Sequence, residues 1–307
     1  MAVKIVSDTT MTGITPEQIK AHDIRLVTLF IVDGDTSTPE ITMDMEAYND
    51  RISDLESLPK TSQPSPEDFR STFLEVLKAG DDVLGIFVSG GLSATIENAH
   101  MVKNQLIDEF PHYRNRIAIV DSMANAAALA FPVLEAAALA EEGASLEQCR
   151  ELAQYASSCT RFLFAPRSLE HLHRGGRIGR ASFMLGTALK MVPILGPDKI
   201  SGTVHTYAKI RTYPKALLTI KDKMLEDAEA SGGLKALCVH YISELSVAEE
   251  YYKDVVVPAI KDTYPEVKAL FSPVSPTIAT HVGPAVGIAY LCANPLRKEN
   301  ESGIGVA

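Results

Sequence analysis

Short apolar runs rich in β-branched residues, each followed by a stretch with helical spacing, constrain this chain more than any other feature. They lie at Val3 to Val6, Val83 to Val88, Ile117 to Val120, Leu237 to His240 and Val267 to Phe271. A strand that is apolar on both faces needs cover on both, so the alternation predicts an α/β fold with parallel sheet and helices above and below it. Helix starts are marked at Thr15-Pro16-Glu17-Gln18, Ser65-Pro66-Glu67-Asp68, Ser145-x-x-Gln148 and Ser246-x-x-Glu249. Each puts a hydroxyl at the N-cap and an acid or amide three residues later. Pro16 and Pro66 occupy the first helical position, where a missing N–H costs nothing. Met123 to Ala140, Ala-rich and containing Pro132 and Glu135, is too short to span a bilayer comfortably and reads as a buried helix. The charge-rich segment Pro214 to Ala230 reads as a helix solvated on one face and ended by Ser231-Gly232-Gly233.

A chain of 307 residues with 46% hydrophobic content is long enough for one large or two medium domains. The change of domain is predicted around Ala156 to Thr160, giving an N-terminal α/β domain over 1–158 and a C-terminal one over 159–307. Between Asp33 and Pro66 neither helical nor strand period survives. This predicts a long structureless excursion, and such excursions are often functional. The polar tail from Arg297 to Ala307 is expected to fray. Cys149, Cys159, Cys238 and Cys292 include no C-x-x-C pair, which excludes a zinc ribbon and a small disulfide scaffold and predicts inert buried thiols. The start MAVKIVSDTT lacks a secretory pattern, so a cytoplasmic location is expected. With 29 Lys and Arg against 39 Asp and Glu, the net charge of 29 − 39 = −10 disfavours nucleic acid as a partner.

Five segments carry side chains suited to chemistry. Ser7-Asp8-Thr9-Thr10 ends the first strand, where parallel sheets bind ligands, although it can equally be a polar turn. Thr61-Ser62-Gln63-Pro64-Ser65-Pro66 is stiffened by two prolines, so Thr61 and Ser62 are rigidly presented hydrogen-bonding groups. Ser89-Gly90-Gly91-Leu92-Ser93-Ala94-Thr95 joins a strand to the helix Ile96 to Phe110; its N–H groups suit an anion, or it is a capped turn with Ser93 at the N-cap. It is neither a dinucleotide fingerprint nor a P-loop. Arg174-Gly175-Gly176-Arg177-Ile178-Gly179-Arg180 concentrates cations, with Arg167, Lys209 and Arg211 within reach by sequence, and arginine is suited to carboxylates and phosphates. Thr280-His281-Val282-Gly283-Pro284 holds a lone His before a glycine turn, and Asp121-Ser122 follows a strand; either can be structural.

In order and spacing these segments resemble the DegV family of bacterial proteins, which includes the fatty-acid-binding subunits of fatty acid kinase. The matching motifs are S-D-[ST]-T, T-S-Q-P-S-P, S-x-x-L-S-[GA]-T, V-D-S, G-G-R-I and H-x-G-P-[GA]-x-G, and they span nearly the whole chain. The resemblance implies two α/β domains, the C-terminal one smaller, with a long-chain fatty acid held between them. It places the carboxylate beside Thr61, Ser93 and His281, with Ser62, Ala94 and Ser7 in the same site. It also implies that Arg177, flanked by Arg174 and Arg180, engages a separate kinase subunit. No cofactor or metal is implied, and the reading allows transient contact with membrane. Ala94 and Ala285 stand where the family commonly has glycine, each adding a methyl near the head-group site. The loop Leu195 to Thr203 is longer than the family's usual turn.

The physical reading agrees with that implication. Burying about sixteen methylenes at roughly 0.8 kcal/mol each is worth on the order of 13 kcal/mol before the costs of binding. Phe183 to Leu195 and Ala124 to Leu139 contain enough apolar residues to contribute to a tunnel, although most of them must be core. A buried carboxylate needs hydrogen bonds, which Thr61, Ser93 and His281 would supply. The competing reading is a hydrolase of an acyl ester or acyl phosphate, with Ser93 as nucleophile, His281 as base and Asp8 or Asp121 as the orienting acid. No G-x-S-x-G elbow supports it.

Overall fold

The structure is a computed structural model that describes residues 1–54, 57–184 and 191–296. The first half carries β1 (Val3–Asp8), β2 (Arg25–Val27), β3 (Phe30–Asp33), β4 (Thr36–Pro39), β5 (Lys60–Ser62), β6 (Asp82–Phe87) and β7 (Ile117–Asp121). The second half adds β8 (Thr160–Pro166), β9 (Val192–Pro197), β10 (Val204–Ile210), β11 (Leu234–Ile242), β12 (Ala269–Pro273) and β13 (Ala285–Cys292). The helices are α1 (Pro16–Ala21), α2 (Met45–Arg51), α3 (Pro66–Lys78), α4 (Thr95–Glu109), α5 (Ala126–Glu141) and α6 (Leu146–Ser158), then α7 (Glu170–Arg174), α8 (Tyr213–Ala230), α9 (Leu245–Glu250), α10 (Val257–Lys261) and α11 (Pro276–Val282).

The predicted parallel sheet is present, with strand order β2-β1-β6-β7. Phe69 and Phe73 of α3 and Val102 and Leu106 of α4 cover one face, against Val6, Val83 and Phe87. On the other face, α5 and α6 pack on Ile5, Leu84 and Ile86. The second sheet has order β10-β9-β8-β13-β11-β12, and its pairs are antiparallel apart from β11 with β12. Along β8 the side chains alternate: Phe162 and Phe164 point to the inner core, and Leu163 and Ala165 to the outer one under α8.

The apolar character of α5 follows from its position between the two sheets. Ala126, Ala127, Ala128 and Phe131 pack toward the second sheet; Leu129, Ala130, Val133 and Ala137 pack toward the first. A helix buried all round needs no polar face, and its small residues let both sheets approach.

Three helix starts form as read: Thr15, Ser65 and Ser145 each make a reciprocal capping box. The fourth differs. The helix near Ser246 begins at Leu245 after Glu244, with no side-chain cap, and continues through a π-helical stretch, Tyr251–Val256. The stretch from Asp33 to Pro66 is not structureless. Strands β3, β4 and β5 make a small antiparallel sheet, and α2 follows β4. Its alternation is masked because the strands span three or four residues and β4 is polar. This excursion bridges to the second half: the Asn49 amide donates to Val274 O at 2.8 Å, and Tyr48 Oη lies 2.7 Å from Thr280 Oγ1. The loop Leu195 to Thr203 is the end of β9 and the turn into β10. The tail from Arg297 lies outside the described residues.

Candidate functional site

A cleft partly open to solvent is walled by residues from both halves. Thr10, Leu29, Val88, Ser93 and Asn125 come from the segments that follow β1, β2, β6 and β7, the end at which parallel sheets receive ligands. Thr61 and Gln63 come from the excursion, Phe164, Pro197 and Val204 from the second sheet, and Thr277, Ile278 and His281 from α11. Leu29, Val88, Leu92, Phe164, Leu172, Pro197, Val204 and Ile278 supply half of the lining residues and form its apolar wall.

Thr61, Arg177 and His281 also border an adjoining space lined by Ser57, Lys60, Arg174 and Thr280. The trio therefore sits where an apolar cleft meets a mouth bearing cations. Thr61 Oγ1 lies 2.7 Å from His281 Nε2, while His281 Nδ1 is buried without a partner. Burial, then the Arg177 guanidinium and His171, holds the imidazole down at about 4, so it is neutral at pH 7. Gly175 lets that ring pack: a Cβ there would stand 2.3 Å from Nδ1. Arg177 is half-buried, with Nε donating to Leu92 O at 3.2 Å and Nη1 to Gly175 O at 2.7 Å. The arrangement offers a hydroxyl, an imidazole and a guanidinium to a carboxylate whose chain lies along the apolar wall.

The other candidates divide. Ser93 reaches the cleft but is not the helix cap; Ala94 holds that position without a side-chain bond, and Ser93 Oγ accepts from Thr95 N at 3.3 Å. Ser62 is exposed, its hydroxyl donating to Gln63 O, because alternation along β5 turns it away from Thr61. Ser7 is buried inside the sheet and donates to Ile86 O at 2.8 Å, so it does not line the cleft. Ala285 is buried at the start of β13. Arg174 pairs with Glu170 at 2.8 Å on the surface, and the Arg180 side chain lies outside the described residues. The cationic patch is smaller than the sequence implies: Arg167 pairs with Glu244 and stacks on Tyr213, and Arg177 turns into the cleft.

The hydrolase constellation is not assembled. His281 Nε2 faces Thr61, whereas Ser93 Oγ pairs with Thr95 Oγ1 at 2.8 Å. Asp8 accepts from Thr10 and from Val88 N, and Asp121 from Gly90 N and Met123 N. Neither carboxylate orients the imidazole.

The glycine loop Ser89 to Ala94 also differs from the anion cradle its sequence allows. Its amides are used internally: Gly90 N donates to Asp121, Gly91 N to Ser89 Oγ, and Leu92 N and Ser93 N to Ser89 O. Gly91 admits the β9–β10 turn instead. A Cβ on Gly91 would lie 2.4 Å from Ser201 O, and Ser89 Oγ donates to Gly202 O at 2.9 Å. This turn carries Lys199 into the seam between the halves, where Nζ donates to Thr160 Oγ1 at 3.0 Å and Met123 O at 3.4 Å. The residue is half-buried, but its amine end is enclosed, and that desolvation, reinforced by Arg161, lowers it to about 7. Sequence reasoning missed Lys199, Asn125 and the buried Glu40, which accepts from Thr9 Oγ1 and from Thr277 N.

The four cysteines are buried and free, and burial pushes the Cys292 thiol up to about 11, so it stays protonated. Among the described residues no helix is long and apolar enough to cross a membrane, and no His, Cys, Asp and Glu group is placed to hold a metal.

A DegV domain-containing protein of Clostridium acetobutylicum is 35% identical over 298 residues, covering 97% of this chain and 100% of that one. The Thermotoga maritima protein named fatty acid-binding protein is 29% identical, covering 92% of this chain and 95% of its own. The crystal structure of Bacillus subtilis DegV, described as a fatty acid binding protein, superposes with a TM-score of 0.81 at 28% identity, over 95% of this chain and 99% of that one. The model of the DegV family of uncharacterised proteins matches residues 2–293, and this chain belongs to that family.

Proposed function

We propose that this protein binds a long-chain fatty acid, with the acyl chain in the cleft and the carboxylate at Thr61, His281 and Arg177, and presents that carboxylate to a separate kinase subunit for phosphorylation to an acyl phosphate. The observation that carries the proposal is the placing of those three side chains on the border between the apolar cleft and its cationic mouth. Relatives named for fatty-acid binding cover nearly the whole chain, which supports the same ligand class here. The kinase supplies the catalytic step, and the site needs only to hold the chain and leave the head group within reach of the mouth. Arg174 and Lys60, both exposed at that mouth, are the cations that would meet the partner, while Arg177 serves the ligand itself.

Titration of delipidated protein with palmitate and with its methyl ester tests the head-group assignment. The acid is expected to bind about tenfold or more tightly than the ester, since a hydrogen bond to a charged group is worth roughly 1.5–3 kcal/mol. Equal affinities would remove Thr61, His281 and Arg177 from the head-group role.

A further inference from the structure

The cleft has a second polar end that a plain acyl chain would leave unpaired. Asn125, only 8% exposed, lines the cleft, and its Oδ1 is buried without a partner. Asparagine at an N-cap ordinarily accepts a bond from the first turn of its helix. Asn125 precedes α5 and makes no such bond. A buried amide oxygen without a hydrogen bond costs stability, and a ligand hydroxyl can supply that bond. Thr10 and Thr277, both nearly fully buried, line the same cleft. Thr277 stands four residues before His281 on α11, so one helical turn, about 6 Å of rise, separates this end from the head-group trio.

The charges behind the two ends decide what each can accept. Arg177, Arg174 and Lys60 border the outer end. The inner end is backed by buried carboxyls: Thr10 Oγ1 donates to Asp8 Oδ1 at 2.5 Å, and Thr277 N donates to Glu40 Oε2 at 2.9 Å. Burial raises both acids, Asp8 to about 6, so whatever charge they keep is negative, which disfavours an anion and leaves a neutral hydroxyl unaffected. An amide both donates and accepts, which matches the hydrogen-bonding capacity of a hydroxyl.

We propose that Asn125, with Thr10 and Thr277, forms a subsite for a hydroxyl carried on the acyl chain, so that the preferred ligand is a hydroxylated long-chain fatty acid. The inference rests on the fatty-acid reading and refines its ligand. Its test is competition between stearate and a panel of stearates bearing one hydroxyl near the carboxyl, at mid-chain or near the methyl end. One member is expected to bind about tenfold more tightly than stearate. In Asn125→Leu, checked for folding by thermal melting, the ratio of that member to stearate falls to about one. In Thr277→Val, as a second variant, the ratio also falls. If stearate binds at least as tightly as every hydroxylated analogue, the subsite holds only water and the inference is overturned, with the fatty-acid reading intact. Binding of none of these acids overturns both.

Discussion

Replacing Lys199 with Met is expected to stabilise the protein by about 1–4 kcal/mol at pH 7, the order seen when a buried ion pair gives way to apolar side chains of similar volume. The amine lies in the seam with two oxygen contacts and no carboxylate among its bonds, and desolvation lowers it from the ordinary lysine value of 10.5 to about 7. The unfolded chain keeps this proton up to about 10.5, whereas the folded chain releases it near 7. Between those values the unfolded state binds more protons, so this group's contribution to stability rises with pH. The penalty is therefore full below pH 7, shrinks from 7 to 10.5 and vanishes above. Lys199→Met should exceed the native protein in stability most at pH 6 and converge with it by about pH 10, in chemical denaturation across that range. Thr160 keeps its own bond to Ser157 O in the variant, so no donor is orphaned there. A native protein more stable than Lys199→Met at every pH would show that the lysine's two bonds outweigh its burial.

Replacing His281 with Ala is expected to weaken fatty-acid binding by about 10- to 100-fold, the loss of one hydrogen bond to a charged group. The neutral imidazole and Thr61 are bonded to each other, so the deletion removes one donor and leaves Thr61 unpaired. Affinity for the methyl ester should change far less, because the ester carries no charge for the missing group to meet. Equal loss for acid and ester would mean that His281 supports the cleft wall instead of the carboxylate. Fluorescence displacement on both ligands, with melting as the folding control, reads the difference.

The parallel sheet was legible because a strand such as β6, with Leu84 and Ile86 covered on one face and Val83 and Phe87 on the other, runs apolar without alternation. The antiparallel sheet was harder to read. Its central strand β13 contains Gly287, where any Cβ would strike Leu163 O at 2.4 Å, so a residue demanded by strand packing looks like a turn signal. The polar strand β4 gives no pattern because its alternation is not imposed by a core. Thr61, Ser93 and His281 were found by resemblance, and the structure adds why two of them meet: β5 and α11 are brought together by an excursion read as structureless. Ser62 shares a motif with Thr61, but the period-two geometry of a strand turns adjacent side chains to opposite sides, and Ser7 is held inside the sheet by its bond to Ile86 O. Asn125 and Lys199 left no trace in the sequence, since the first looks like any helix cap and the second like any loop lysine. Only the facing half of the molecule makes the one unpaired and the other desolvated.

The central claim is that the cleft holds a fatty acid, and organic extraction of the purified native protein followed by mass spectrometry tests it most directly. The account predicts close to one equivalent of long-chain fatty acid per chain, with uptake of palmitate by protein stripped of lipid. Recovery of no lipid, together with no binding of palmitate by the stripped protein, would contradict it.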